Sequence, residues 1–183
     1  MLKLSALPLR QKIFISLIVL SGLSLIILYN AEIISIEKIR LSLFFYGMGI
    51  PFLLLIDEFL VDLNNNEIFK FWIVISIFFV LCYFLLRNNS ALIIHRSPKF
   101  VNAGFNKLIA ANASSTFKAL PLFLLCYWFL NKILKKKTGK FIVSTFRKYK
   151  WYSEEGEREI NGTDVLINIL LLIVIIGASL IDA

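Results

Sequence analysis

Val165-Leu166-Ile167-Asn168-Ile169-Leu170-Leu171-Leu172-Ile173-Val174-Ile175-Ile176-Gly177-Ala178-Ser179-Leu180-Ile181 is a 17-residue run without a charge. Its length approaches the ~20 residues needed to cross a hydrocarbon core of ~30 Å. Backbone N–H and C=O groups find no water in lipid, so such a run spans as a helix or not at all. A transmembrane β-strand would alternate polar and apolar residues. Leu170–Ile176 is apolar on every face, as is Leu17–Leu20. The barrel is thereby excluded.

Working outward, four more apolar stretches occupy residues 13–29, 41–56, 71–86 and 119–131. The 119–131 run is short for a span. Extended to 117–134 it suffices, provided that Lys118 and Lys132 snorkel toward opposite interfaces. With 58% hydrophobic and 17% charged residues, the chain does not have the composition of a soluble domain. The expectation is an all-α polytopic integral membrane protein: residues 1–183 as a single membrane domain, with five predicted transmembrane helices. The first run follows Lys3, Arg10 and Lys12, as in a signal peptide. It is longer than a usual h-region and lacks a small-x-small cleavage site, so it is read as an uncleaved span. Gly47, Gly49 and Pro51 predict a kink in the second run. Phe100, Val101, Phe105, Leu108 and Ile109 share a helical face, which predicts a short amphipathic helix on the membrane surface.

Orientation follows from the cations. Of 20 Lys and Arg residues, nine fall in the 132–160 connector, which the positive-inside rule assigns to the cytoplasm. Two layouts satisfy this. One has five spans and a cytoplasmic N-terminus. The other has four spans, with the 119–131 run re-entrant and the N-terminus outside. The four-span layout segregates the cations more sharply, but it exports a basic N-terminus and leaves an apolar run unspanned. Five spans are preferred, in a membrane expected to be the bacterial cytoplasmic (inner) membrane.

Few residues suggest chemistry. Cys82 and Cys126 lie in apolar runs and form no C-x-x-C pair, so both are read as buried free thiols. His95 is the sole histidine. With no second imidazole to share a metal it is read as a loop residue, and neither a metal nor a cofactor is expected. Asp57, Glu58 and Asp62 are the carboxylates nearest a span. Glu58 and Asp62 share a helix face and would suit a divalent cation held against phosphate. Their place just beyond a run of about 24 Å puts them at headgroup depth, where carboxylates need no special partner. The Asn161-Gly162-Thr163-Asp164 entry to the last run distantly resembles the acidic entry to the final span of lipoprotein signal peptidases. The second catalytic aspartate of that family has no counterpart here. Asp164 is accordingly read as a helix-capping acid.

The connector is the strongest candidate surface. On helical spacing Lys140, Ser144, Arg147, Lys148 and Trp151 fall on one face, and Ile142, Val143, Phe146 and Tyr149 on another. Lys140, Arg147, Lys148, Lys150 and Trp151 are therefore the expected partner- or lipid-contact residues, facing anionic headgroups or a cytoplasmic protein. Nucleic acid is a weaker fit to the same pattern. The expected role is a non-enzymatic membrane subunit that self-assembles, as a homo-oligomer or with a partner protein. In size and architecture it resembles bacterial toxin-immunity proteins and the membrane subunits of phage-defence systems, without a shared motif. An oligomeric pore lined by Ser16, Ser21, Ser24, Ser42, Ser76, Asn168 and Ser179 is the alternative, followed by a lipid-modifying enzyme using Asp57, Glu58 and Asp62.

Overall fold

A computed structural model describes residues 7–30, 35–56, 58–88, 113–145 and 160–180. Helix α1 runs Leu9–Asn30, α2 Ile36–Leu55, the short α3 Glu58–Asp62 and α4 Asn66–Leu86. A 3₁₀ turn, Ala113–Lys118, leads directly into α5, Ala119–Thr138, and the last helix, α6, is Gly162–Leu180. No strand occurs among the described residues.

Four helical stretches are long and apolar enough to cross a membrane: Ile36–Leu55, Asn66–Leu86, Ala113–Thr138 and Gly162–Ser179. An integral membrane protein is thus indicated. The side chains agree. Leu20, Ile77, Leu81, Leu85, Leu125, Phe129, Leu166 and Ile173 are exposed along helices on all sides of the bundle. Water-soluble proteins rarely leave apolar surface so continuous, whereas lipid covers it without cost. Inside, Trp72, Phe79, Phe123, Leu124, Tyr127, Leu171 and Ile175 form a closed core. Phe79 sits between Tyr46 and Phe117, at ring-centroid distances of 5.8 and 5.3 Å.

Successive long helices run antiparallel. The ends are fixed by contacts far apart in sequence: Arg10 of α1 meets Asp62, Asn131 of α5 meets Asn64, and Ser144 meets the Leu55 carbonyl at the end of α2. This is the basal end. At the distal end, Thr116 faces the Leu43 carbonyl and Ser115 donates to the Ser179 carbonyl near the end of α6. The 119–131 run consequently travels from one end of the bundle to the other. The 3₁₀ turn and α5 together make a 26-residue helical stretch, long and apolar enough for a crossing, where the four-span alternative has this run re-entrant. Lys118 and Lys132, which limited the run on paper, lie over the rings of Tyr83 and Trp128 at 5.1 and 4.9 Å.

Local sequence explains the helix ends. Asn65 caps α4, its side chain accepting from the Glu67 N–H at 2.9 Å. Asn161 and Asp164 form a reciprocal capping box at α6, with both side-chain-to-backbone bonds at 3.1 Å. The capping role expected of Asp164 is thereby met. Gly139 ends α5 in the left-handed region at φ 69°, and its N–H donates to the Lys135 carbonyl. The surface helix expected around Phe100–Ile109 lies outside the described residues.

Candidate functional site: the polar layer at the basal end

Seven segments meet at the basal end, and polar side chains join them. Both Asp62 oxygens are engaged by the Arg10 guanidinium, with Arg10 Nε 2.9 Å from Oδ2. Gln11, fully buried, donates to the same Oδ2 at 2.7 Å and accepts from the Trp72 indole N–H at 3.2 Å. Thus α1, α3 and α4 are clasped by one carboxylate and one amide. Next to them, the Phe14 ring packs tilted against Phe59 and Trp72, at centroid distances of 4.6 and 5.6 Å.

On the other side, the Tyr127 hydroxyl lies 2.8 Å from Asn64 Oδ1 and 3.2 Å from the Leu60 carbonyl, sharing its proton between them. Asn131 donates to Asn64 at 2.9 Å and accepts the Ile142 N–H at 3.1 Å. Ser144 donates to the Leu55 carbonyl at 2.8 Å, one of the acceptors that the end of α2 leaves without an intrahelical partner. Asn168 donates to the carbonyls of Val143 and Asp164, both at 2.8 Å. A buried polar group without a partner costs about 1–3 kcal/mol, so a layer in which nearly every group is paired fixes how the helix ends sit together; Asn168 Oδ1 is its buried atom without a hydrogen-bond partner among the described residues.

The segment after Gly139 departs from the helical spacing expected for Lys140–Trp151. Residues 140–145 carry no helix. Ile142 and Ser144 are both buried while Phe141 is exposed, the two-residue alternation of extended chain. The physical reason is the left-handed Gly139, which turns the backbone out of α5, followed by Phe-Ile-Val, a β-favouring triplet. The result is a strap drawn across the ends of α2, α5 and α6.

Lys140, one of the expected contact residues, is exposed at the start of this strap. Arg147, Lys148, Lys150 and Trp151 lie outside the described residues, as do Asp57, the side chain of Glu58, and His95. Lys135, Lys136 and Lys137 are exposed on the last turn of α5, where cations favour the helix dipole. The serines considered for a pore do not share a wall: Ser16 and Ser24 are exposed on α1, while Ser76 and Ser179 are buried. Ser24, Ser76 and Ser179 each donate to a carbonyl of their own helix. Gln11, Asn64 and Asn131 carry no signal of a site in the sequence, and Ser144 stands there only on the expected helical face of the connector. No family model, no curated protein and no solved structure matches this chain.

Proposed function

We propose that this protein is a five-span integral membrane subunit, without catalysis of its own, that docks a cytoplasmic partner or anionic headgroups through its basic end. The observation carrying the proposal is the gathering of Lys12, Lys132, Lys135, Lys136, Lys137 and Lys140 at the basal end, beside Arg10 and Lys70, which are paired with Asp62 and Glu67. The distal end has Lys38, Arg40, Arg87 and Lys118 among the described residues. Further support comes from rigidity: the polar layer holds the lysine turn of α5 and the strap in fixed register. Most donors and acceptors of that layer bind one another, which suits a platform. Counting α1 as a span rests on its 22 residues, about 33 Å at 1.5 Å per residue.

The test is the triple change Arg147→Gln, Lys148→Gln and Lys150→Gln in the full chain, purified in mild detergent from native membranes. A docking role predicts that a stoichiometric partner seen with the wild type disappears while membrane insertion is unchanged. A headgroup role predicts weaker binding to anionic vesicles, by at most about 3 kcal/mol and in a salt-dependent way. Indifference in both assays reduces these cations to topology signals.

A further inference from the structure

Helix α5 has two unlike faces. Phe123, Leu124, Tyr127 and Leu134 are buried against the bundle, while Leu125, Trp128 and Phe129 are 61%, 49% and 55% exposed. On a stretch long and apolar enough to cross a membrane, such exposed apolar residues face lipid. Residues four apart share a helix face, so Trp128 is followed on its own face by Lys132 and Lys136, and Leu125 by Phe129. Both lysines are exposed. The lipid-facing side of α5 therefore ends in cations.

Depth and charge narrow the occupant. Lys118 and Lys136 are 18 residues apart, about 27 Å at 1.5 Å per residue, close to the ~30 Å of a hydrocarbon core. Lys132 lies one turn, about 6 Å, inside Lys136. An ionised side chain at that depth needs an anion or water, and hydrocarbon offers neither. The Trp128 ring covers one side of the Lys132 ammonium at 4.9 Å but brings no negative charge. The carboxylates described at this end are committed elsewhere: Asp62 to Arg10, Glu67 to Lys70 and Asp164 to the cap of α6. A cytoplasmic protein reaches the end of α5 from the water side. The phosphate of a lipid packed against Leu125 and Phe129 meets Lys132 and Lys136 directly, and an indole such as Trp128 suits the boundary between hydrocarbon and headgroups. We infer that Lys132, Lys136 and Trp128 form a site on the lipid-facing side of α5 for the phosphate of an anionic phospholipid in the basal leaflet. This site deepens the docking role proposed above, resting on the reading of the basal end as a contact surface, and gives the α5 part of that surface to lipid.

Trp128 supplies the test. In a full chain carrying Trp151→Phe it is the exposed indole, since Trp72 is buried. The protein is reconstituted in phosphatidylcholine vesicles that hold a minor fraction of phospholipid brominated on its acyl chains. Brominated phosphatidylglycerol is expected to quench Trp128 several-fold more than brominated phosphatidylcholine at the same fraction, and salt to narrow the difference. Lys132→Gln with Lys136→Gln should remove the difference. Lys137→Gln with Lys140→Gln, the same loss of charge farther along the chain, should leave it. Lys132→Arg with Lys136→Arg should retain it, which separates loss of the anion site from misfolding. Equal quenching by the two lipids with the lysines intact overturns the site, as does an equal effect of the two Gln pairs or loss of the difference in the Arg pair. A cytoplasmic protein held through Lys132 and Lys136, with no lipid preference at Trp128, also overturns it. A neutral result for the Arg147, Lys148 and Lys150 change with this preference intact sinks the connector and keeps the α5 site; the opposite pair of results sinks the α5 site alone.

Discussion

Gly47 shows how much one missing methyl can decide. A Cβ built there would fall 2.1 Å from Thr116 Oγ1 and 2.8 Å from the Thr116 carbonyl carbon. The Thr116 Cβ and backbone stand in the way as well as its hydroxyl, so Gly47→Ala must push the 3₁₀ turn off α2. Overpacking of this kind costs about 1–3 kcal/mol. A lower midpoint of thermal unfolding in detergent is expected. Gly49 is the control: a Cβ there meets nothing. Gly49→Ala should be neutral or stabilise by up to about 1 kcal/mol through helix propensity. In sequence Gly47, Gly49 and Pro51 look alike, a cluster that announces a kink. What separates Gly47 from Gly49 is Thr116, remote in the chain, and no local pattern encodes it. Asp62 was likewise legible as an acid beside a span, but not as the partner of Arg10. Its side chain is only 9% exposed, against 42% for Arg10. A double-mutant cycle over Arg10→Gln and Asp62→Asn is expected to give a coupling of about 1–2 kcal/mol, reduced from the buried-pair range by the exposure of Arg10. Additive single changes would show the ion pair to be idle.

At the scale of elements, the spans were legible and the strap was not. A charge-free run has one solution in lipid, so the long helices follow from composition. Their edges moved: α2 begins at Ile36, ahead of the apolar run at Leu41, because the charged turn carrying Glu37, Lys38 and Arg40 can stay helical at headgroup depth. The strap was not legible because residues 140–145, the described part of the Lys140–Trp151 segment, also fit a helical spacing. Gly139 and the β-favouring triplet after it decide the matter locally, and the Leu55 carbonyl and Asn131 amide decide it tertiarily. If Ile142 is the anchor, Ile142→Ala should destabilise the protein by about 2–4 kcal/mol, as for other fully buried aliphatic truncations. Phe141→Ala should cost clearly less, since Phe141 is 39% exposed. Equal losses from the two would mean that residues 140–145 do not hold their alternation in solution.

For the whole molecule, Lys and Arg residues are divided unequally between the two ends of an antiparallel bundle, more of them at the base among the described residues. Sequence alone left two layouts because positive charge counts loops without knowing which helix ends meet. The Arg10 and Gln11 contacts with Asp62 bring the start of α1 to the same end as the lysine turn of α5. This is the arrangement that the proposed five-span layout requires. The most direct test uses single cysteines in a chain lacking Cys82 and Cys126, probed with an impermeant maleimide in intact cells. Leu9→Cys and Thr138→Cys mark the basal end; Ser35→Cys and Asn88→Cys mark the distal end. Labelling is expected at Ser35 and Asn88, with Leu9 and Thr138 reacting only after permeabilisation. Labelling of Thr138 in intact cells, or of Leu9 and Ser35 alike, would contradict this layout.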